Sequence, residues 1–177
     1  ITLIGTLTGI TSGYLGGRFD LWFQRFVEVI LTFPQLPLYL ALTTLIPVTA
    51  PSYIFLSFVI LVIAGLGWAQ LSREVRGKTM SMARVDYVRA ATAVGAGDAR
   101  IVTRHILPNV MHLVLITTVL NFSDLILYEA VLTYVGVGVD ASTSSFGSLI
   151  NGARSEMSRD PVVWWSFAAA FGFMVAL

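Results

Sequence analysis

Three carboxylates, Glu28, Asp124 and Glu129, stand in or near long apolar runs. A charge buried in such a run costs several kcal/mol if the run crosses a bilayer, unless it is paired, protonated or wetted. Two readings stay open for them. They line a polar pathway, or they fix packing, Glu28 beside Arg25 and the other two by bonds to neighbouring spans. Asn121, Thr117, Thr118 and Ser123 share the run of Asp124, which makes it the most polar wall available. His105 and His112 are seven apart and so fall on one helical face. Metal binding needs further ligands at suitable spacing, and none accompany them, so no metal site is expected. The chain has no cysteine, which removes thiolate and disulfide chemistry. It also lacks a Gly-x-x-x-x-Gly-Lys-Ser/Thr phosphate loop and any nucleophile–base series, so no catalytic residue is expected.

A second group of residues suggests recognition rather than reaction. Residues 86–97 read as a short helix ended by glycine, with Asp86 as N-cap and Ala90, Ala91 and Ala93 as strong helix formers. The small side chains admit close approach by another surface, and Tyr87 and Val94 add larger apolar contacts. After the Gly95-Ala96-Gly97 break, residues 98–107 read as a second helix, stopped or kinked at Pro108. Two helices joined by a tight glycine turn form a rigid plug for a groove on a partner.

The elements that must position these residues follow from composition. Of 177 residues, 56% are hydrophobic and 12% charged, against about 25% charged in ordinary soluble domains. Residues 51–71 carry no charge, and about 20 apolar residues cross a bilayer. The expected order is the end of one span (1–12), a Gly-rich charged turn (13–20), a span kinked by Pro34, Pro37 and Pro47 (26–50), and a third span (52–71). A charged loop (73–105), a fourth span (108–137), a polar loop (139–160) and a last span from Pro161 follow. Trp164, Trp165 and Phe167 mark an interface at the start of that last span, and Gly136 and Gly138 allow close helix approach or end the fourth. Loop 140–147 is open to three readings, a contact with an outside partner, a fold back over the pore, or a solvated linker. Arg18, Arg25, Arg73, Arg76, Lys78, Arg84, Arg89, Arg100 and Arg104 lie in two alternate loops, leaving Arg154 and Arg159 elsewhere. The positive-inside rule then puts loop 73–105 in the cytoplasm and loop 139–160 outside. The chain begins and stops within apolar runs, so it reads as truncated at both ends.

The series Arg89-Ala90-Ala91, Gly95 and His105-Ile106-Leu107-Pro108 resembles the EAA loop of binding-protein-dependent ABC transporter permeases. That pattern is Glu-Ala-Ala, three residues, Gly, nine residues, Ile, one residue, Leu-Pro. The spacing matches throughout, with Arg89 in place of Glu and His105 in place of Ile. Gly13-Tyr14-Leu15-Gly16-Gly17-Arg18-Phe19-Asp20, Phe33-Pro34, Gly95-Ala96-Gly97-Asp98, Arg104-His105-Ile106-Leu107-Pro108-Asn109 and Tyr134-Val135-Gly136-Val137-Gly138-Val139 resemble the C-type permease of dipeptide and oligopeptide importers. That branch also includes nickel, glutathione and peptide-antibiotic importers.

The resemblance implies an all-α polytopic transmembrane bundle of the MetI-like type, with about five of six spans in a single permease domain over 1–177. It implies a coupling loop at 73–107, in which Tyr87, Arg89, Ala90, Ala91, Gly95, Gly97, Asp98, Leu107 and Pro108 contact the ATPase. Asn121, Asp124 and Glu129 are the candidates for the pathway. The implied partners are a second homologous permease, two ABC ATPase subunits, an extracytoplasmic binding protein and the bilayer, with no nucleic acid. The implied location is the bacterial inner membrane. No cofactor is expected in this chain, since ATP and magnesium belong to the ATPases. Competing expectations are an intramembrane enzyme using Asp124, Glu129 or His112, and a membrane scaffold with a docking loop but no transport.

Overall fold

A computed structural model describes residues 1–47, 51–135, 145–161 and 163–176. Every regular element among them is helical: α1 (Thr2–Leu15), α2 (Gly17–Thr32), α3 (Gln35–Thr43), α4 (Ser52–Met82), α5 (Asp86–Ala93), α6 (Asp98–Ile101), a π turn (Val102–Ile106), α7 (Leu107–Tyr134), α8 (Phe146–Met157) and α9 (Trp164–Ala176). Ser57–Met82 and the 37-residue run Asp98–Tyr134 are long and apolar enough to cross a membrane, and the bent pair α2/α3 makes a third candidate. At 1.5 Å per residue the longer run extends about 55 Å, well beyond a hydrocarbon core of about 30 Å. Several of its turns must therefore project from the bilayer. Ile60, Leu61, Leu115, Ile116 and Leu120 are exposed along these helices, an arrangement that lipid solvates and water does not.

The chain divides into two compact units, one of Ile1–Pro34 with Ala64–Leu120, the other of Gln35–Ile63 with Asn121–Leu177. In the first, α1 lies directly on α4. A Cβ added to Gly5, Gly9 or Gly13 would stand 2.9, 2.7 or 2.8 Å from the backbone oxygens of Trp68, Ser72 and Arg76. Glycine at every fourth position lets the two backbones touch, the small-residue packing that membrane helices use where no hydrophobic drive holds them together. Ile10, Leu71, Val75, Val88, Ile101, Ile106, Val110 and Val114 form the core of this unit, so α1, α4, α5, α6 and α7 share one packed interior.

Several boundaries differ from the sequence expectation. The charged Gly-rich turn at 13–20 shrinks to Gly16, whose φ of 62° suits glycine; Gly13 lies inside α1 and Asp20 inside α2. The span expected to end at Leu71 continues as helix to Met82. It does so because Leu71, Val75 and Thr79 stay buried at helical spacing, and Arg76 finds an ion pair instead of water. Its Nε and Nη2 reach the two oxygens of buried Asp20 at 2.6 and 2.5 Å, a bidentate fork, while the Ser12 hydroxyl donates to Asp20 at 2.5 Å. The helix breaks at Pro34 as expected, with Phe33 extended as a residue before proline tends to be. Pro37 sits within the first turn of α3, where its missing N–H is tolerated.

In the second unit, Tyr39 of α3 packs edge-on against Tyr128 of α7, with ring centroids 5.3 Å apart, and the Tyr128 hydroxyl donates to Gln35 Oε1 at 2.9 Å. The polar stretch expected as loop 139–160 contains α8, started by a reciprocal capping box between Ser145 and Ser148. Gly136, Gly138 and residues 140–144 of that stretch lie outside the described residues.

Candidate functional site

The segment singled out for recognition is built on one buried anchor. Val88, 2% exposed, inserts from α5 into the core it shares with α1, α4 and α7. On the opposite side Asp86, Arg89, Ala90 and Ala93 are exposed, Val94 is 87% exposed and Tyr87 44%. Ala91 is half-buried at the edge. Asp86 is the first helical residue rather than the N-cap. Val85 occupies the cap in extended conformation and makes no side-chain cap bond, so Asp86 acts through its charge in the first turn.

The end of α5 is a complete Schellman motif. The Gly95 N–H donates to Thr92 O and the Ala96 N–H to Ala91 O, both at 3.0 Å, with Gly95 at φ 83°. A Cβ at Gly95 would meet nothing within 4 Å, so glycine is favoured there by backbone conformation and not by crowding. The turn is tied to α1 by the Tyr14 hydroxyl, which donates to Asp98 Oδ1 at 2.7 Å. Burial and the Asp98 carboxylate push the Tyr14 phenol up to about 12, which keeps it a donor throughout the physiological range.

Pro108 does not stop the following helix. The Leu107 N–H reaches Val102 O, five residues back, and this wider π turn takes up the proline before α7 continues to Tyr134. His105 lies in that turn with its ring 6.0 Å from Tyr87, and Asn109 Nδ2 donates to His105 O at 2.7 Å and to the Tyr87 hydroxyl at 3.3 Å. Among the described residues no three His, Cys, Asp or Glu side chains group as a metal site.

The in-span carboxylates separate by their partners. Glu28 pairs with Arg25 at 2.7 Å on an exposed face. Glu129 accepts from the Thr133 hydroxyl at 2.9 Å and from the Gly147 N–H, at the start of α8, at 3.4 Å. Its charge therefore faces the positive end of a helix. Gly147 is needed for that approach, since a Cβ there would stand 2.3 Å from Thr133 Cβ. Asp124 is exposed, and buried Asn121 Nδ2 has no partner among the described residues. Thr117, by contrast, turns inward and donates to Glu74, whose other oxygen accepts from Gln70 at 2.8 Å.

Sequence reasoning missed Glu74, the Asp20–Arg76 pair and the Tyr14–Asp98 bond, since each joins residues more than forty positions apart or sits among ordinary polar residues. It also missed the glycine seam, for which the signal was present: Gly5, Gly9 and Gly13 recur every four residues.

Residues 5–177 match the family described as binding-protein-dependent transport system inner membrane component. The chain is 35% identical over 174 residues to the oligopeptide transport system permease protein OppC of Haemophilus influenzae, covering 98% of this chain and 53% of that protein. It is 34% identical over 159 residues to the dipeptide transport system permease protein DppC of Lactococcus lactis subsp. cremoris (90% and 45%). It is 31% identical over 172 residues to OppC of Bacillus subtilis (97% and 53%). The chain spans about half the length of the curated relatives it matches.

Proposed function

The chain belongs to the family of binding-protein-dependent transport system inner membrane components, and from that premise we propose that it forms half of the membrane pathway of an ATP-driven peptide importer. The observation that carries the reading is α5: a helix of small residues, exposed on one face and locked on the other by Val88 into the core of α1, α4 and α7. A cytoplasmic ATPase gripping that face moves a body, not a loop. Because interiors are close-packed, displacement of Val88 passes to the long helices and is not absorbed locally. Closure of an ATPase pair then rocks the spans between two states.

ATP and magnesium are bound by the two ATPase subunits, and this chain contributes no catalytic group. A second, homologous permease completes the pathway, and an extracytoplasmic binding protein delivers the substrate. Peptides are the proposed cargo because relatives over nearly the whole chain are named oligopeptide and dipeptide permeases. Asn121 and Asp124 are the proposed pathway residues on α7, since Asp124 is exposed and the Asn121 Nδ2 has no hydrogen-bond partner among the described residues. Glu129, bonded by Thr133 and Gly147, is assigned to holding α8. The proposed location is the bacterial cytoplasmic membrane, with α5 on the cytoplasmic side.

Gly95→Trp tests this. A Cβ at Gly95 meets nothing within 4 Å, so the added side chain starts into open space at the docking turn. The subunit should insert normally while uptake of labelled peptide and its coupled ATP hydrolysis are lost. Gly95→Ala, which brings only about 1 kcal/mol of left-handed strain, should retain uptake. Uptake at wild-type level with Gly95→Trp would refute the docking of α5.

A further inference from the structure

The segment around α5 carries more arginine than carboxylate, although α5 itself holds one of each, Asp86 and Arg89, both exposed on the side away from Val88. Arg89 is exposed beside Ala90 and Ala93, and Arg84, Arg100 and Arg104 are exposed on either side in sequence. Among the described residues none of these four makes an ion pair, whereas Arg25, Arg76 and Arg159 each do. Their only acidic neighbours between positions 84 and 104 are Asp86 and Asp98, and one oxygen of Asp98 is engaged by Tyr14. Four arginines thus stand against two carboxylates in this stretch, and no ion pair ties any of the four down among the described residues.

We infer that the partner's groove receiving α5 is acidic, with a carboxylate placed opposite Arg89. This rests on the docking of α5 proposed above and adds the chemistry of the partner. Two features favour a protein groove over anionic lipid headgroups. A lipid surface needs only charge. Arg89 instead shares its face with Ala90 and Ala93, whose small side chains admit a wall on either side of the helix while the guanidinium reaches past them. Its planar fork suits a carboxylate held in fixed geometry.

The test uses the full-length permease in neutral detergent without anionic lipid, titrated with its own ATPase subunits. Arg89→Gln should weaken association about fivefold, the value of a single partly exposed pair. Arg89→Glu should weaken it more than about thirtyfold by placing like charges together. Wild-type affinity should fall as salt rises from roughly 0.05 to 0.5 M, and less so for Arg89→Gln. If Arg89→Glu binds within about twofold of wild type while Gly95→Trp does not bind, α5 docks but the acidic groove is wrong. If both bind as wild type, the docking itself is wrong. If the Arg89 effect appears only in bilayers containing anionic lipid, the arginine serves headgroups and the inference is overturned.

Discussion

Replacing Gly9 by alanine adds one methyl group at the tightest point of the α1–α4 seam. Its carbon would stand 2.7 Å from Ser72 O and 2.8 Å from Val75 Cβ and Cγ1. The oxygen belongs to the backbone of a long helix, so relief requires the helices to separate by several tenths of an ångström. Gly5 and Gly13 sit one turn away on either side, so separation there loosens the whole seam. Overpacking of this kind costs about 1–3 kcal/mol. The helix-propensity gain of alanine, about 1 kcal/mol, acts in the other direction. Gly77→Ala supplies the reference: it lies in α4, has the same propensity gain and meets nothing within 4 Å. The two variants should therefore differ by about 1–3 kcal/mol. Detergent-driven unfolding of the purified subunit, followed by helical signal, measures that difference. Equal stabilities would refute direct backbone contact between α1 and α4.

Three further substitutions probe other joints. Asp20→Asn should destabilise by about 2–3 kcal/mol, less than a fully buried pair because Arg76 keeps partial access to water. The double variant with Arg76→Gln should recover part of that loss in the same unfolding assay. Gly147→Ala should displace the start of α8 and raise proteolytic cleavage near it. Because the clash is with Thr133 Cβ, Thr133→Gly rescues it and Thr133→Ala does not. Tyr14→Phe keeps the ring but removes the 2.7 Å bond to Asp98, which is worth about 1 kcal/mol at an exposed site. It should leave ATPase binding intact and raise the ATP hydrolysed per peptide imported; an unchanged ratio would confine the bond to packing.

Much of the helical architecture was legible because long apolar runs and proline positions depend on local chemistry. The π turn at 102–106 was not, since the sequence shows only that Pro108 disturbs a helix and not which way the strain is relieved. Arg73, Arg76 and Lys78 suggested a loop because charge usually marks water. Asp20, fifty-six residues away, lets Arg76 remain helical and half-buried. The polar stretch around α8 concealed a helix because only every third or fourth residue, Gly147 and Ala153 among them, faces inward. In the recognition segment the glycine turn was readable from spacing. The role of Val88 was not, because burial depends on the helices that converge on it.

The most direct measurement uses the absence of cysteine from this chain. A single cysteine at exposed Val94, in the assembled transporter with any other permease cysteines removed, should cross-link to an ATPase subunit when a short bifunctional reagent is added to membranes. A cysteine at buried Val88 should not. Cross-linking that fails at Val94, or proceeds equally at both positions, would contradict α5 as the docking element.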